Sequence, residues 1–160
     1  MGSLEEEIGD LLRQKGLTLG VVESATGGLI SHRLTNIPGS SDYFKGSVTA
    51  YSNEAKIKVV GVGEPTINQY GAVSAQVAEE MAEGGRKLFS ADIGIADTGI
   101  AGPGGATPEK PVGLFYLGLA YHGKTYSRRH VFSGDREQNK LEASEAALRW
   151  LREHLKGVKE

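Results

Sequence analysis

Cysteine is absent from the 160 residues of this chain. Its absence removes disulfides, thiolate nucleophiles and cysteine-held metals together, and it fits a cytoplasmic protein. Long apolar runs are missing as well. With no stretch of about 18 apolar residues, neither a membrane span nor a membrane partner is expected. The amino terminus lacks the basic-then-apolar order of a signal peptide. There is no basic excess either: the formal net charge is −2 with both signs interspersed. That gives nucleic-acid binding no electrostatic basis. The histidines, at 32, 122, 130 and 154, lack metal-ligand spacing, so no metal is assigned. A small ligand is the partner this balance favours.

What is present points to a soluble globular protein, with 39% apolar and 24% charged residues. The length suits one domain over residues 1–160. Glycine is in surplus, at 23 of 160 residues against a usual share of about 7%. These glycines are spread among periodic apolar segments, so low-complexity disorder does not explain them. They mark turns, close backbone approaches or a ligand cradle.

Residues 4–15 carry Leu4, Ile8, Leu11 and Leu12 at helical spacing, with Gly16 as the stop. Thr18–Glu23 reads as a buried strand, followed by a Gly-Gly turn and a helix bearing Ile30, Leu34 and Ile37. "YFKGSVTAY" (43–51) is rich in β-formers, and Asn53–Val60 reads as a short helix closed by Gly61. Ser74 caps a helix to about Phe89, with Val77, Met81 and Leu88 on one face. Gly84 and Gly85 inside it each cost about 1 kcal/mol relative to alanine, so something is expected to pack closely there. "ADIGIAD" (91–97) is a strand, and 99–113 is too rich in glycine and proline for a regular element. "LFYLGLAY" and "KTYSRRHVF" flank a His-Gly turn and read as a hairpin. A last helix, from about Arg136 to Lys156, has a seam of Leu141, Ser144, Leu148, Leu151 and Leu155. Early strand-helix alternation with a late hairpin predicts a three-layer α/β/α fold with a mixed sheet of about five strands.

Chemistry concentrates where the first strand meets its helix. In open α/β sheets, ligands bind beyond the carboxyl ends of the strands, and Ser24 sits at such an end. The first amides of a helix lack partners and favour a phosphate or a developing oxyanion. Gly27 and Gly28 would let a ligand reach that backbone. The plainer alternative is that Ser24 or Thr26 only caps the helix. Neither a G-x-S-x-G elbow nor a Walker loop is present.

Lys56 falls in the first turn of the helix after Tyr51, where the helix dipole disfavours a cation. With burial, that position pushes a lysine toward the neutral form, which accepts a proton from a serine. A solvated surface lysine is the alternative. Asp135 reads as an N-cap with Gln138 three residues on. Arg136 then stands at a helix N-terminus, a conflict that an anionic ligand would resolve. Free solvation of Arg136 is the other reading.

Six stretches occur in a fixed order: "ESATGG" (23–28), "YSNEAK" (51–56), "GAVS" (71–74), "TGIAGPGG" (98–105), "KPVG" (110–113) and "GDR" (134–136). In this order and spacing the chain resembles the CinA C-terminal domain family, from about residue 5 to 155. That family includes stand-alone nicotinamide mononucleotide deamidases of the PncC type. The resemblance implies a mixed five-stranded sheet between helices. It also implies hydrolysis of the carboxamide of nicotinamide mononucleotide to nicotinate mononucleotide and ammonia. Matched position by position, it makes Ser24 the nucleophile, Lys56 the base and Tyr51 an assisting hydroxyl, with Arg136 the arginine of the GDR motif. Ala25 stands where many members carry cysteine.

The expected mechanism needs no metal or organic cofactor. Lys56 deprotonates Ser24 with Tyr51 relaying or orienting, and amides after Ser24 hold the oxyanion. Substrate contacts are expected from Thr26, Gly27, Gly28, Asn53 and Thr98, and from Gly99, Gly102, Gly104 and Gly105 of the glycine loop. Arg136 is expected to meet the phosphate. A homo-oligomer is expected. The rival readings are a non-catalytic sensor of pyridine nucleotides or other phosphorylated metabolites, and a protein-interaction role.

Overall fold

The computed structural model describes residues 2–157. Helix α1 (Leu4–Lys15) opens on Ser3, whose hydroxyl accepts from the Glu6 amide while the Glu6 carboxylate accepts from the Ser3 amide. It closes on Gly16 in the left-handed region. Strand β1 (Leu19–Glu23) is buried along its whole length. Helix α2 (Leu29–Thr35) then leads to β2 (Phe44–Thr49). A single turn, α3 (Asn53–Ala55), runs into a π turn, Lys56–Val60, and Gly61 ends it. Helices α4 (Glu64–Tyr70) and α5 (Ala75–Leu88) follow, then β3 (Ile93–Gly99), the hairpin β4 (Leu114–Tyr121) and β5 (Lys124–Val131), and α6 (Arg136–Leu155).

The sheet order is β2-β1-β3-β4-β5. Strand β1 is parallel to both neighbours, while β3–β4 and β4–β5 are antiparallel, so the sheet is mixed. Helices cover both sides, as predicted. On one side Ile8, Leu12, Ile30, Leu34, Leu148 and Leu151 pack on Leu19, Val21, Ile93 and Ile95. On the other, Val77, Met81 and Ala82 pack on Val22, Ala96 and Ala120. The chain leaves β1 toward β2 and returns across it to β3. That reversal makes the carboxyl end of β1 a topological switch point, where such sheets bind ligands.

Part of the glycine surplus is a packing device. Helix α5 lies so close to the sheet that a Cβ at Gly94 or Gly118 would strike the carbonyls of Ala82 and Ala78. A Cβ at Gly84 would strike the Val60 carbonyl at the end of the π turn, and one at Gly85 would meet Val22. Gly84→Ala therefore inverts the usual helix preference: we expect a loss of about 1–3 kcal/mol from overpacking instead of a gain of about 1. The midpoint of urea unfolding measures this directly.

Two sequence expectations are corrected. Leu88 is about half exposed; Phe89 takes its place, filling the space over Gly20 and Gly46. Leu141 is also exposed, and the α6 seam runs instead through Ala143, Ser144, Ala147, Leu148, Leu151 and Leu155. Helix α4 leaves no mark on the sequence pattern because it has no buried residue and hence no apolar periodicity. Arg128 pairs with Glu153 at 2.8 Å and lies over the Trp150 ring.

Candidate active site

Strand β1 delivers its last residue, Glu23, to the switch point, and the chain then turns through Ser24–Gly28. Gly27 (φ 64°) and Gly28 (φ 104°) hold backbone angles that side-chain-bearing residues rarely adopt. Next door, β2 ends at Thr49, and Ser52 caps the following turn by accepting from the Ala55 amide. That cap aims Lys56 back across the sheet end.

Lys56 is only 2% exposed and Ser24 6%. The Lys56 Nζ lies 3.0 Å from Ser24 Oγ, 3.0 Å from the Ala50 carbonyl and 3.1 Å from the Tyr51 carbonyl. A neutral amine has two hydrogens and one lone pair. Three oxygen acceptors suit the three hydrogens of an ammonium; in the neutral amine the two hydrogens can stay on the carbonyls while the lone pair turns to the serine hydroxyl. Burial pulls the Lys56 ammonium below the ordinary lysine value, and the charge of Asp97 opposes this. The expected meeting of Ser24 and Lys56, 32 positions apart, is thus present in the fold.

The helix that follows Ser24 is capped differently from either expectation. Neither Ser24 nor Thr26 caps α2, and its first amides are not free. The carboxylate of Glu23 accepts from the amides of Gly28, Ile30 and Ser31 and from the Ser31 hydroxyl. Asp97 accepts from the amides of Ser24 and Thr26 at 3.1 and 3.2 Å. The Gly27 amide bonds to the Ser24 carbonyl. Of the amides in this turn, that of Ala25 alone finds no acceptor among the described residues. The anion-binding helix end that the sequence suggests is sealed, and one donor beside Ser24 is left.

Ser24 and Lys56 open into a cavity of about 240 Å³. Thr98 and Gly99 line it from the end of β3, and Gly102, Gly104 and Gly105 from the loop above. Tyr51, Asn53 and Arg136 complete the wall. Tyr51 is 60% exposed, and its hydroxyl accepts from Arg136 at 2.9 Å instead of touching Ser24 or Lys56. Its carbonyl, not its phenol, meets the lysine. Arg136 also donates to the Gly102 carbonyl at 2.7 Å, so most of its five N–H groups remain available. The Thr98 hydroxyl is taken by the Ala72 carbonyl at 2.8 Å. Gly99 is required by the ring of Phe115, which a Cβ would strike. Thr26, Gly27 and Gly28 do not line this cavity; they border a separate one of about 380 Å³ with Lys140 and Leu141.

Sequence reasoning passes over Glu23, Asp97 and Asn139. The two acids each sit at the end of an otherwise apolar buried strand, "LGVVE" and "ADIGIAD", and that is the signal by which they could be found. Asn139, fully buried on α6, ties the glycine loop down through the Ala101 carbonyl at 3.0 Å. No described group of three or more His, Asp or Glu side chains is placed to hold a metal ion. No described helix is long and apolar enough to cross a membrane.

Fold and site together define an open α/β protein with a buried serine–lysine pair at its switch point. The sequence matches the CinA C-terminal domain over residues 1–155, and the chain belongs to that family. A CinA-like protein of Dictyoglomus thermophilum is 52% identical over 153 residues, and one of Salinibacter ruber 50% over 153. Each match takes in 96% of this chain, which spans about 37% of either relative's length. The crystal structure of competence damage-inducible protein A from Klebsiella pneumoniae superposes with a TM-score of 0.93 at 33% identity, covering 98% of this chain and 97% of that one. A competence/damage inducible protein of Agrobacterium tumefaciens gives 0.86 at 38% identity over 94% of each chain.

Proposed function

We propose that this chain is an amidohydrolase that converts nicotinamide mononucleotide to nicotinate mononucleotide and ammonia. The observation that carries the reading is the buried Lys56 amine, 3.0 Å from Ser24 Oγ with two carbonyls on its remaining valences. Lys56 takes the Ser24 proton, and Ser24 Oγ attacks the carboxamide carbon. The Ala25 N–H faces the developing oxyanion; one such donor is worth about 3 kcal/mol of barrier. The proton on Lys56 passes to the leaving nitrogen, and ammonia departs. Water, deprotonated by Lys56, then cleaves the acyl-enzyme and restores Ser24.

The small cavity suits the pyridine ring. A wider depression of about 840 Å³, bordered by Lys140, shares Gly102 and Arg136 with it. Arg136 is positioned to pair the 5′-phosphate, and Tyr51 orients that guanidinium in place of relaying a proton. Arg136→Ala is expected to raise KM about 10- to 100-fold, the worth of hydrogen bonds to a charged group, with a smaller change in kcat. Steady-state kinetics with nicotinamide mononucleotide separate the two. The parent experiment is ammonia release from the same substrate. Binding without ammonia would favour a nucleotide sensor and end the hydrolase reading.

A further inference from the structure

Glu23 and Asp97 are both fully buried, and the reaction above uses neither as a reactant. The parallel pairing of Val22 with Ala96 sets the two acids side by side on β1 and β3. Thr26 stands between them, its Oγ1 2.6 Å from Glu23 Oε1 and 2.5 Å from Asp97 Oδ1. A threonine hydroxyl carries a single proton, so it donates to one carboxyl only. At the other contact two oxygen lone pairs would face each other unless that carboxyl supplies a proton. Two carboxylates and one alcohol are therefore one proton short of this geometry.

The donor count says where the extra proton resides. Besides Thr26, Glu23 accepts from four donors, three of them amides at the start of α2. These donors occupy both Glu23 oxygens, and the amides among them offer no acceptor for a carboxyl proton. Asp97 has only the Ser24 and Thr26 amides. Burial pushes its carboxyl up to about 6, and the neighbouring Glu23 charge pushes the same way.

We propose that Glu23, Thr26 and Asp97 form one buried, singly protonated array with the proton on Asp97, which fixes the Ser24 turn and leaves Lys56 free of a counter-ion. This rests on reading Ser24 and Lys56 as nucleophile and base. The titratable groups around the array are Lys56 on the π turn, Lys140 on α6, whose ammonium reaches over Gly27, and His32 and Glu137, which border the cavity beside Thr26. While Asp97 is neutral, it adds no charge that would favour an ammonium on Lys56. Once Asp97 ionises, its charge raises the proton affinity of Lys56 and moves the neutral amine to higher pH. Asp97 is in this sense a positioning residue.

Infrared difference spectroscopy on protein labelled with carboxyl-¹³C aspartate tests the array without reference to activity. At about pH 5, above the ordinary aspartate value of roughly 3.9, we expect a carboxylic-acid C=O band that the label displaces. It should fade as the pH passes about 6 and be missing from Asp97→Asn. Should Asp97→Asn not fold, the label in the wild type still reports the band. No acid band at pH 5 in the folded wild type overturns the proposal, whether or not ammonia is released. With the band present and no ammonia from the wild type, the array stands and the hydrolase reading falls. In an active enzyme, Thr26→Val should lower kcat/KM about 10²-fold, as a misplaced reacting group does, and displace its pH profile. Thr26→Ser should restore both. A Thr26→Val enzyme with the wild-type profile overturns the link to Lys56.

Discussion

Ser24→Ala should abolish ammonia release from nicotinamide mononucleotide while nucleotide binding persists. The substitution removes one oxygen from a buried turn whose backbone is held independently, by Asp97 at the Ser24 and Thr26 amides and by Glu23 at the start of α2. Alanine already occupies the next position, so the turn tolerates a methyl group there. The cavity and Arg136 remain, and the loss falls on kcat. A drop on the order of 10³-fold or more is expected where a nucleophile is removed and only binding and oxyanion contacts are left. Ammonia release under saturating substrate, beside calorimetric binding of the same nucleotide, reads both quantities. Turnover within about tenfold of the wild type, far short of the loss a missing nucleophile causes, would remove Ser24 from that role.

Lys56→Met should lose activity to the same floor, and the double variant with Ser24→Ala should lose no more, because the two groups act as one unit. The pH dependence has a definite sign. In the proposed reaction Lys56 works as the neutral amine, and burial lowers its proton affinity. Wild-type kcat/KM should therefore fall as the pH drops through the lysine's folded-state ionisation, and Lys56→Arg should be inactive throughout, since arginine stays charged. Stability follows the same linkage. Below the unfolded lysine value of roughly 10.4, the unfolded chain binds a proton that the folded site resists, so stability rises with pH there. Lys56→Met deletes that contribution and should be more stable than the wild type at neutral pH. Urea unfolding at two pH values measures the slope. A destabilised, still active Lys56→Met protein would contradict both halves of the argument.

Much of this architecture is legible in the amino-acid sequence. Periodicity locates α1, α5, α6 and the β4–β5 hairpin, because each presents a repeating apolar face or a turn with a fixed backbone demand at Gly16 or His122-Gly123. The ordered motifs single out Ser24, Lys56 and Arg136, and all three border one cavity. Tyr51 is legible as a member of that wall but not in its contacts. A phenol at a strand end has several partners within reach, and the choice of Arg136 is made by α6, 85 positions away. Thr26, Gly27 and Gly28 read as a ligand cradle only if the α2 amides are vacant. A carboxylate one residue before Ser24 fills them instead.

The α/β alternation, the family and the residue types that do chemistry follow from local periodicity and from order along the chain, so the sequence suffices for them. Which donors remain free, which carboxyl carries a proton and why glycine is abundant are matters of tertiary structure. They depend on distances between β1, β3 and α5, set by close packing across the sheet, and no spacing along a single strand encodes them.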